Sequence, residues 1–306
     1  MNNTELELLK IIADMDGTPE GAFNIRSNSA LAERRVTENI DIRTKTDKSG
    51  IDIIIKAGTK GEKVHIPVII SETGIKELVY NDFYIGEGAD VEIVAGCGIH
   101  NCGDEESRHD GIHTFFVGKN AKVKYVEKHY GKADGKGQSN MNPVTVINID
   151  DGGYMEMETT QIEGVDETKR STKAKLGADA TLIIREKLMT SGTERAETDF
   201  AVDLNGENSS ANVISRSVAK DKSYQLLLSK INGNNICTGL SECDAIIMDN
   251  AKVSAIPEIT ANDIDASLIH EAAIGKIAGD QLTKLMTLGL TEQEAEEQIV
   301  NGFLKY

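Results

Sequence analysis

The chain has 306 residues, 39% of them apolar and 27% charged, and carries a formal net charge of -17. A length of this order buries a domain-sized core, while the acidic balance excludes nucleic acid and anionic membrane surfaces as partners, because both bind through basic patches. No apolar run reaches the roughly 18 residues that a membrane span needs.

The N-terminus begins Met1-Asn2-Asn3-Thr4-Glu5-Leu6-Glu7, with neither a basic leader nor an apolar stretch behind it, so a cytoplasmic chain is expected. Thr4 to Glu7 has the form of a capping box, and Leu6, Leu9 and Ile12 follow at helical spacing to about Asp14. Residues 1–22 therefore read as a short helix and a linker, broken at Asp16-Gly17-Thr18-Pro19-Glu20-Gly21.

From Phe23 to Pro257 the period changes to two. Ile51 to Lys56, Val91 to Val94, Lys122 to Val126, Tyr154 to Glu158, Thr181 to Ile184 and Ala211 to Ile214 alternate β-branched or apolar residues with polar ones, which predicts strands. The turns before them resemble one another. Gly86-Glu87-Gly88-Ala89-Asp90-Val91 matches Gly118-Lys119-Asn120-Ala121-Lys122-Val123, and the segments beginning at Asp151, Gly177, Glu207 and Asp249 echo both. A recurrence of about 30 residues is the mark of a solenoid, in which no unit buries its apolar face alone. The chain is therefore expected to be mainly β, with a parallel β-helix core over residues 23–257.

After Pro257 the strands are expected to stop. Leu282, Leu285 and Met286 fall at helical spacing, Gly289 suits a C-cap, and Thr291-Glu292-Gln293-Glu294 is a capping box ahead of Ala295, Ile299 and Phe303. Residues 258–306 thus read as a helical tail that either caps the open end of the solenoid or docks a partner.

Four cysteines stand at 97, 102, 237 and 243, at spacings that fit no zinc knuckle; in a cytosolic chain they read as thiols or ligands. Cys243 lies in an apolar run, and His270-Glu271 follows within thirty residues. Thiolate, imidazole and carboxylate are the ligand types of borderline metals, and also the parts of a nucleophile with its base. A second concentration holds Cys97, His100 and Cys102, with His109 and His113 behind them. It reads equally as a metal site or as a Gly-rich polar loop. There is no P-loop and no nucleophile elbow.

The tail carries the most specific pattern. His270-Glu271-Ala272, Asp280-Gln281-Leu282, Leu288-Gly289-Leu290, Glu294-Ala295 and Ile299-Val300-Asn301-Gly302-Phe303 resemble the C-terminus of the SufB/SufD iron–sulfur scaffold proteins. Cys243-Asp244 with its apolar run resembles the family's cluster-assembly segment, and Ala95-Gly96-Cys97, His113 and Lys124-Tyr125 resemble a third. The match is to the short, stand-alone SufB-like form of anaerobic bacteria and archaea. Ala95 stands where the large proteins have glutamate, and their glutamine-tryptophan stretch has no counterpart in Val126 to Tyr130.

The resemblance implies a right-handed parallel β-helix with helical ends, and a scaffold for assembly and transfer of iron–sulfur clusters that is not itself an enzyme. It implies Cys243 and Glu271 as ligands of a transient cluster, and His270 as ligand or support. Cys97 would be a candidate sulfur acceptor, its thiol pKa lowered by His100 or His113; Cys102, His100 and His113 are secondary metal candidates. Implied partners are a SufC-type ABC ATPase docked on residues 258–306, a second copy that brings two Cys243 and two Glu271 together, a sulfur donor and apo-protein acceptors. Two other classes stay open on residues alone. One is a β-helix carbohydrate-active enzyme using Asp150-Asp151 or Glu156 and Glu158, which the 4% aromatic content disfavours. The other is a purely structural interaction solenoid.

Overall fold

The computed structural model describes residues 2–15, 17, 19–162 and 164–305. Its elements in chain order are α1 (Asn3–Ala13), β1 (Ala22–Ser27), β2 (Ala30–Arg35), β3 (Ile40–Thr44), β4 (Gly50–Ile55), β5 (Lys60–Ile70), β6 (Lys76–Ile85), β7 (Asp90–Asn101), β8 (Ser107–Val117), β9 (Lys122–Ala133), β10 (Ser139–Met141), β11 (Val144–Ile149), β12 (Tyr154–Gln161), β13 (Glu167–Leu176), β14 (Thr181–Thr190), β15 (Arg195–Leu204), β16 (Ser209–Ala219), β17 (Tyr224–Gly233), β18 (Cys237–Ile247), β19 (Lys252–Ala261), β20 (Ala266–Gly275), α2 (Gly279–Thr287) and α3 (Glu292–Phe303).

From β5 onward the strands alternate between two sheets, and each pairs in parallel with the strand one coil away. One sheet runs β5-β7-β9-β12-β14-β16-β18-β20 and the other β6-β8-β10/β11-β13-β15-β17-β19. The chain is thus the β-solenoid that its turn repeat predicts. The repeat has a conformational cause. Gly88, Asn120, Gly152, Asp179 and Asn208 hold one corner of successive coils, all with φ between 54° and 68°. Gly, Asn and Asp are the residues that enter this left-handed region at least cost. The Asp249 turn lies at the opposite corner, with Gly192 and Asp221, so the recurring turns serve two corners rather than one.

Between the sheets lies one long core, in which inward side chains stack rung upon rung. Phe83 and Phe115, opposed in adjacent strands, stack at 4.3 Å with an interplanar angle of 2°.

The two ends of the stack differ. At the N-terminal end the path closes with antiparallel pairs, β1 with β2 and β3 with β4. At the other end, no further strand among the described residues pairs with β19 or β20. Ile259 and Ile274 are in register with the buried Ile231 and Ala245, yet remain 44% and 40% exposed. Exposed strand edges of this kind pair readily with further chain.

Three local expectations are corrected. The first helix is capped by Asn2 with Glu5, not by Thr4, and ends at Asp14 with φ 52°. Of the turn expected over 16–21, Asp16 and Thr18 lie outside the described residues. Strands do not stop at Pro257; β19 runs through it and β20 follows to Gly275. Pro257 is tolerated because β19 is an edge strand, where a missing N–H breaks no ladder to a further strand. Finally, the tail helices leave the open end bare. Val300 and Leu304 pack with Val218 and Ile246 beside β16 and β18, and Arg216 donates to the Lys305 carbonyl at 2.9 Å.

The helix α1 lies on the outer face of the first sheet, with Leu8, Leu9 and Ile12 against Ile69 and Val94. Two outward glycines of β7 admit it. A methyl group on Gly96 would stand 2.6 Å from the Ile12 carbonyl oxygen, and one on Gly98 3.2 Å from Leu8. Gly96→Ala is therefore expected to cost about 1–3 kcal/mol through overpacking and to loosen α1. Urea unfolding gives the loss, and faster proteolysis between α1 and β1 shows where it falls; an unchanged cleavage rate would mean that the helix is held elsewhere.

Candidate functional site

In β18, Cys237, Gly239, Ser241, Cys243 and Ala245 point inward by strict alternation. β20 continues the ladders, with Ser241 opposite His270, Glu242 opposite Glu271 and Cys243 opposite Ala272. Cys243 therefore sits inside, 2% exposed and one strand from the open end. Burial, then the nearby Glu186 and Asp244 carboxylates, push its thiol up to about 12. His270 shares the inward face as a diagonal neighbour of Cys243, and its buried Nδ1 has no hydrogen-bond partner among the described residues. Glu271 points the other way, exposed beside Glu242. Successive strand residues face opposite sides, so His270 and Glu271 diverge, and a single chain brings Cys243 and His270 together without Glu271. Among the described residues no group of three or more His, Cys, Asp or Glu is placed to hold a metal ion.

The second concentration is divided by the sheet. His100 and Cys102 lie outside it; His100 Nε2 is 2.7 Å from Asp134 Oδ2, and Cys102 is exposed. Cys97 points inward among Val68, Ile70, Ile99 and Met141. Burial, then Glu77 and Glu127, raise its thiol well above the usual range. The expected lowering by His100 or His113 does not occur, because the former is across the sheet and the latter is neutral. Burial drives His113 down to about 4. For Cys97 to accept sulfur from another protein, this thiol would have to become exposed and ionised.

Between the two cysteines runs a polar column that residue spacing missed. On one inner ladder Glu127, Thr159, Glu186, Ser215 and Cys243 follow one another in register, and Cys97 lies on the adjacent ladder between Val68 and His129. Asn81 donates to His113 Nε2, the His113 Nδ1–H donates to Tyr125 Oη at 2.8 Å, and Tyr125 donates to Glu127 at 2.9 Å. Arg170 reaches across from the second sheet. It donates to Glu127 at 2.6 Å and to His129 Nδ1 at 3.2 Å, and its Nε lies 3.8 Å from Glu186. Glu186 accepts from Thr198 at 2.9 Å and Ser215 at 2.8 Å. Burial opposes the charge on Glu127, but Arg170 and then His129 hold its carboxyl well below the ordinary carboxylate range. The signal was present in Tyr125, Glu127 and His129, which keep the inward phase of β9.

The acids of the carbohydrate-enzyme alternative are engaged elsewhere. Glu156 pairs with Arg185, Glu158 lies 3.9 Å from Lys124, and Asp151 accepts from the Ala178 amide. Beside the tail, Lys220, Ile247, Met248, Lys276, Ile277 and Leu282 help to line a groove of about 430 Å³. Helix α2 buries no residue, and Leu288 beyond it is 80% exposed.

Residues 78–303 match the family model described as SUF system FeS cluster assembly, SufBD core domain. The chain is 30% identical to an iron–sulfur cluster assembly SufBD family protein of Methanocaldococcus jannaschii, over 97% of this chain and 98% of that one. It is also 30% identical to a SufBD family protein of Archaeoglobus fulgidus over 80% of this chain, and spans 66% of that relative's length. A Methanothermobacter thermautotrophicus relative is 27% identical over 78% of this chain and 57% of its own. Among the described residues, no helix is long and apolar enough to cross a membrane.

The His113 imidazole has an energetic consequence. Between its ordinary value of 6.5 and its folded value of about 4, the unfolded chain takes a proton there that the folded chain refuses. Stability therefore falls as pH drops through this window, by roughly 3 kcal/mol in total from this group. Urea titrations at pH 6.5 and pH 4 should show the fall, and His113→Gln should reduce it by most of that amount. An equal fall in both proteins would place the titration on other groups.

Proposed function

This chain belongs to the SufBD family of iron–sulfur cluster assembly proteins, and on that premise we propose that it is the scaffold on which a cluster is built and from which it is passed on. The observation that carries the reading is the place of Cys243. Its thiol lies inside the solenoid one strand from an uncovered end, with the unpartnered Nδ1 of His270 on the same face. A thiolate and a neutral imidazole suit iron and iron–sulfur centres. The cluster is cargo, and the two groups are donors to it.

A second copy of the chain is the cover we propose for the open end. The half-exposed inward isoleucines and the bare edges of β19 and β20 support this, since a dimer would bury both. It would also set two Cys243 and two His270 near one junction. Glu271, on the outer face of β20, would reach such a site only from across the junction or after the edge strand moves. The tail is the proposed dock of a SufC-type ABC ATPase. The unburied α2, exposed Leu288 and the neighbouring groove support that role. Nucleotide-driven closure of the ATPase would then act through α3, which is packed beside β16 and β18, and strain the junction that shields Cys243.

Anaerobic reconstitution with ferrous iron and sulfide, with and without the co-expressed ATPase, tests the reading. Wild type is expected to develop an iron–sulfur chromophore that Cys243→Ser loses. No chromophore in either protein with the ATPase present overturns the scaffold reading. A separate measurement addresses the junction: Ile274→Lys is expected to turn a dimer into a monomer by light scattering, and a monomeric wild type would remove the second copy from the account.

A further inference from the structure

The outer face of the second sheet has no part in the reading above. We propose that this face, over β6, β8 and β11, is a docking surface for an acidic amphipathic helix of a partner protein.

The first observation is the apolar character of the face. Its outward ladders include Ile54-Tyr84-Phe116 and Tyr80-Ile112-Val144, with Val146 beside them. Tyr84 and Phe116 stack at 5.1 Å with an interplanar angle of 7°, and each is 42% exposed in a chain with only 4% aromatic residues. Beside the two rings lies a groove of about 280 Å³, which Ile54 and Asn148 also line. A second groove of about 260 Å³ meets it at Asn148 and leads to Lys173 and Lys175. An exposed apolar patch with a polar rim is the mark of a contact with another protein.

The second observation is the charge at the rim. Lys173 and Lys175 continue the ladders of Val146 and Asn148, are exposed, and form no ion pair among the described residues. Lys48 lies over the Tyr80 ring at 4.4 Å. The carboxylates along the patch are mostly engaged: Asp82 holds Lys45 at 2.6 Å, Asp110 holds Arg108 at 2.7 Å, and Asp203 accepts from Asn232 at 2.7 Å. Asp150 lines the first groove at the corner. The charge left over along this edge is chiefly cationic, in a chain whose net charge is -17. An acidic partner matches it.

The third observation is how the molecule covers the corresponding face of its first sheet. There α1 lays Leu8, Leu9 and Ile12 on Ile69 and Val94, and Asp14 at its end takes Lys128 of β9 at 2.6 Å. An apolar stripe with an acid at its edge is therefore a form of cover that suits this solenoid. The bare face offers the same two features, apolar ladders and lysines without an acid. The seat differs in one respect. Gly96 and Gly98 let the backbone of α1 approach closely, whereas β6 and β11 carry no glycine and Gly111 of β8 points inward. Side chains of the partner helix, and not its backbone, would enter the groove beside Tyr84 and Phe116.

The probe is a fluorescein-labelled peptide with the sequence of residues 2–15, itself acidic and amphipathic, titrated with the full-length protein at low salt and read by anisotropy. A saturable rise is expected. Phe116→Glu should weaken binding by about tenfold or more. Lys173→Glu combined with Lys175→Glu should do the same, and the wild-type affinity should fall as salt is added. These three residues are exposed, so circular dichroism should show the wild-type fold in both variants. The peptide with Glu5, Glu7 and Asp14 replaced by lysine should bind about tenfold more weakly. Absence of binding, or equal binding by wild type and both variants, overturns the proposal. Binding lost in Gly96→Ala but kept in Phe116→Glu would place the peptide in the seat of α1, which also overturns it. A dimer that survives Ile274→Lys and is broken by Phe116→Glu would put a second copy on this face in place of the acidic helix.

Discussion

Parallel register governs this molecule. Each residue lies beside the one a coil later, about 30 positions on, so any side chain that points inward must be compatible with its neighbours in the coils above and below. Apolar stacks meet that condition without partners, as Phe83 and Phe115 do. A polar side chain meets it only if the next rung, or the opposite sheet, supplies hydrogen bonds. The column from His113 through Tyr125, Glu127, Arg170 and Glu186 to Ser215 is the solution adopted here. Arg170 is central, because it reaches from the second sheet to both carboxylates.

Such a column is a poor source of stability. Replacing a buried ion pair with well-packed apolar groups is often neutral or favourable, whereas removing one partner is costly. A solenoid whose other rungs are filled by Ile, Val, Leu and Phe had an apolar solution available. The charged and imidazole groups of this column lie between Cys97 and Cys243. Both thiols share one electrostatic feature: burial raises their pKa first, and carboxylates raise it further. Each is therefore held as the protonated thiol.

The ends of the stack express a second constraint. An edge strand is a liability, and the N-terminal end limits it by finishing in the short antiparallel strands β2 and β3. The C-terminal end keeps it, with inward isoleucines uncovered and the tail helices packed to the side. Cys243 is one strand from that end, so whatever covers the edge also controls access to the thiol.

The sequence by itself determined the architecture. Alternation set the strands, and the need for left-handed turn residues at each corner wrote the repeat directly into Gly88, Asn120, Gly152, Asp179 and Asn208. It also determined the family, through the tail and the Cys243 segment. The strand end at Pro257 was misread because a proline breaks a central strand but not an edge, and edge status is a property of the assembled sheets. Only tertiary structure decided which residues meet. His270 and Glu271 are neighbours in sequence and opposed in space; Cys97 is buried within β7, whereas Cys102 is exposed beyond its end. Conversely, Glu127 and Arg170, or His109 and Glu77, meet across long stretches of chain. The reason is that a strand fixes which face a residue takes, but the register of the coils fixes what it faces, and register is settled by the stacking of the whole solenoid.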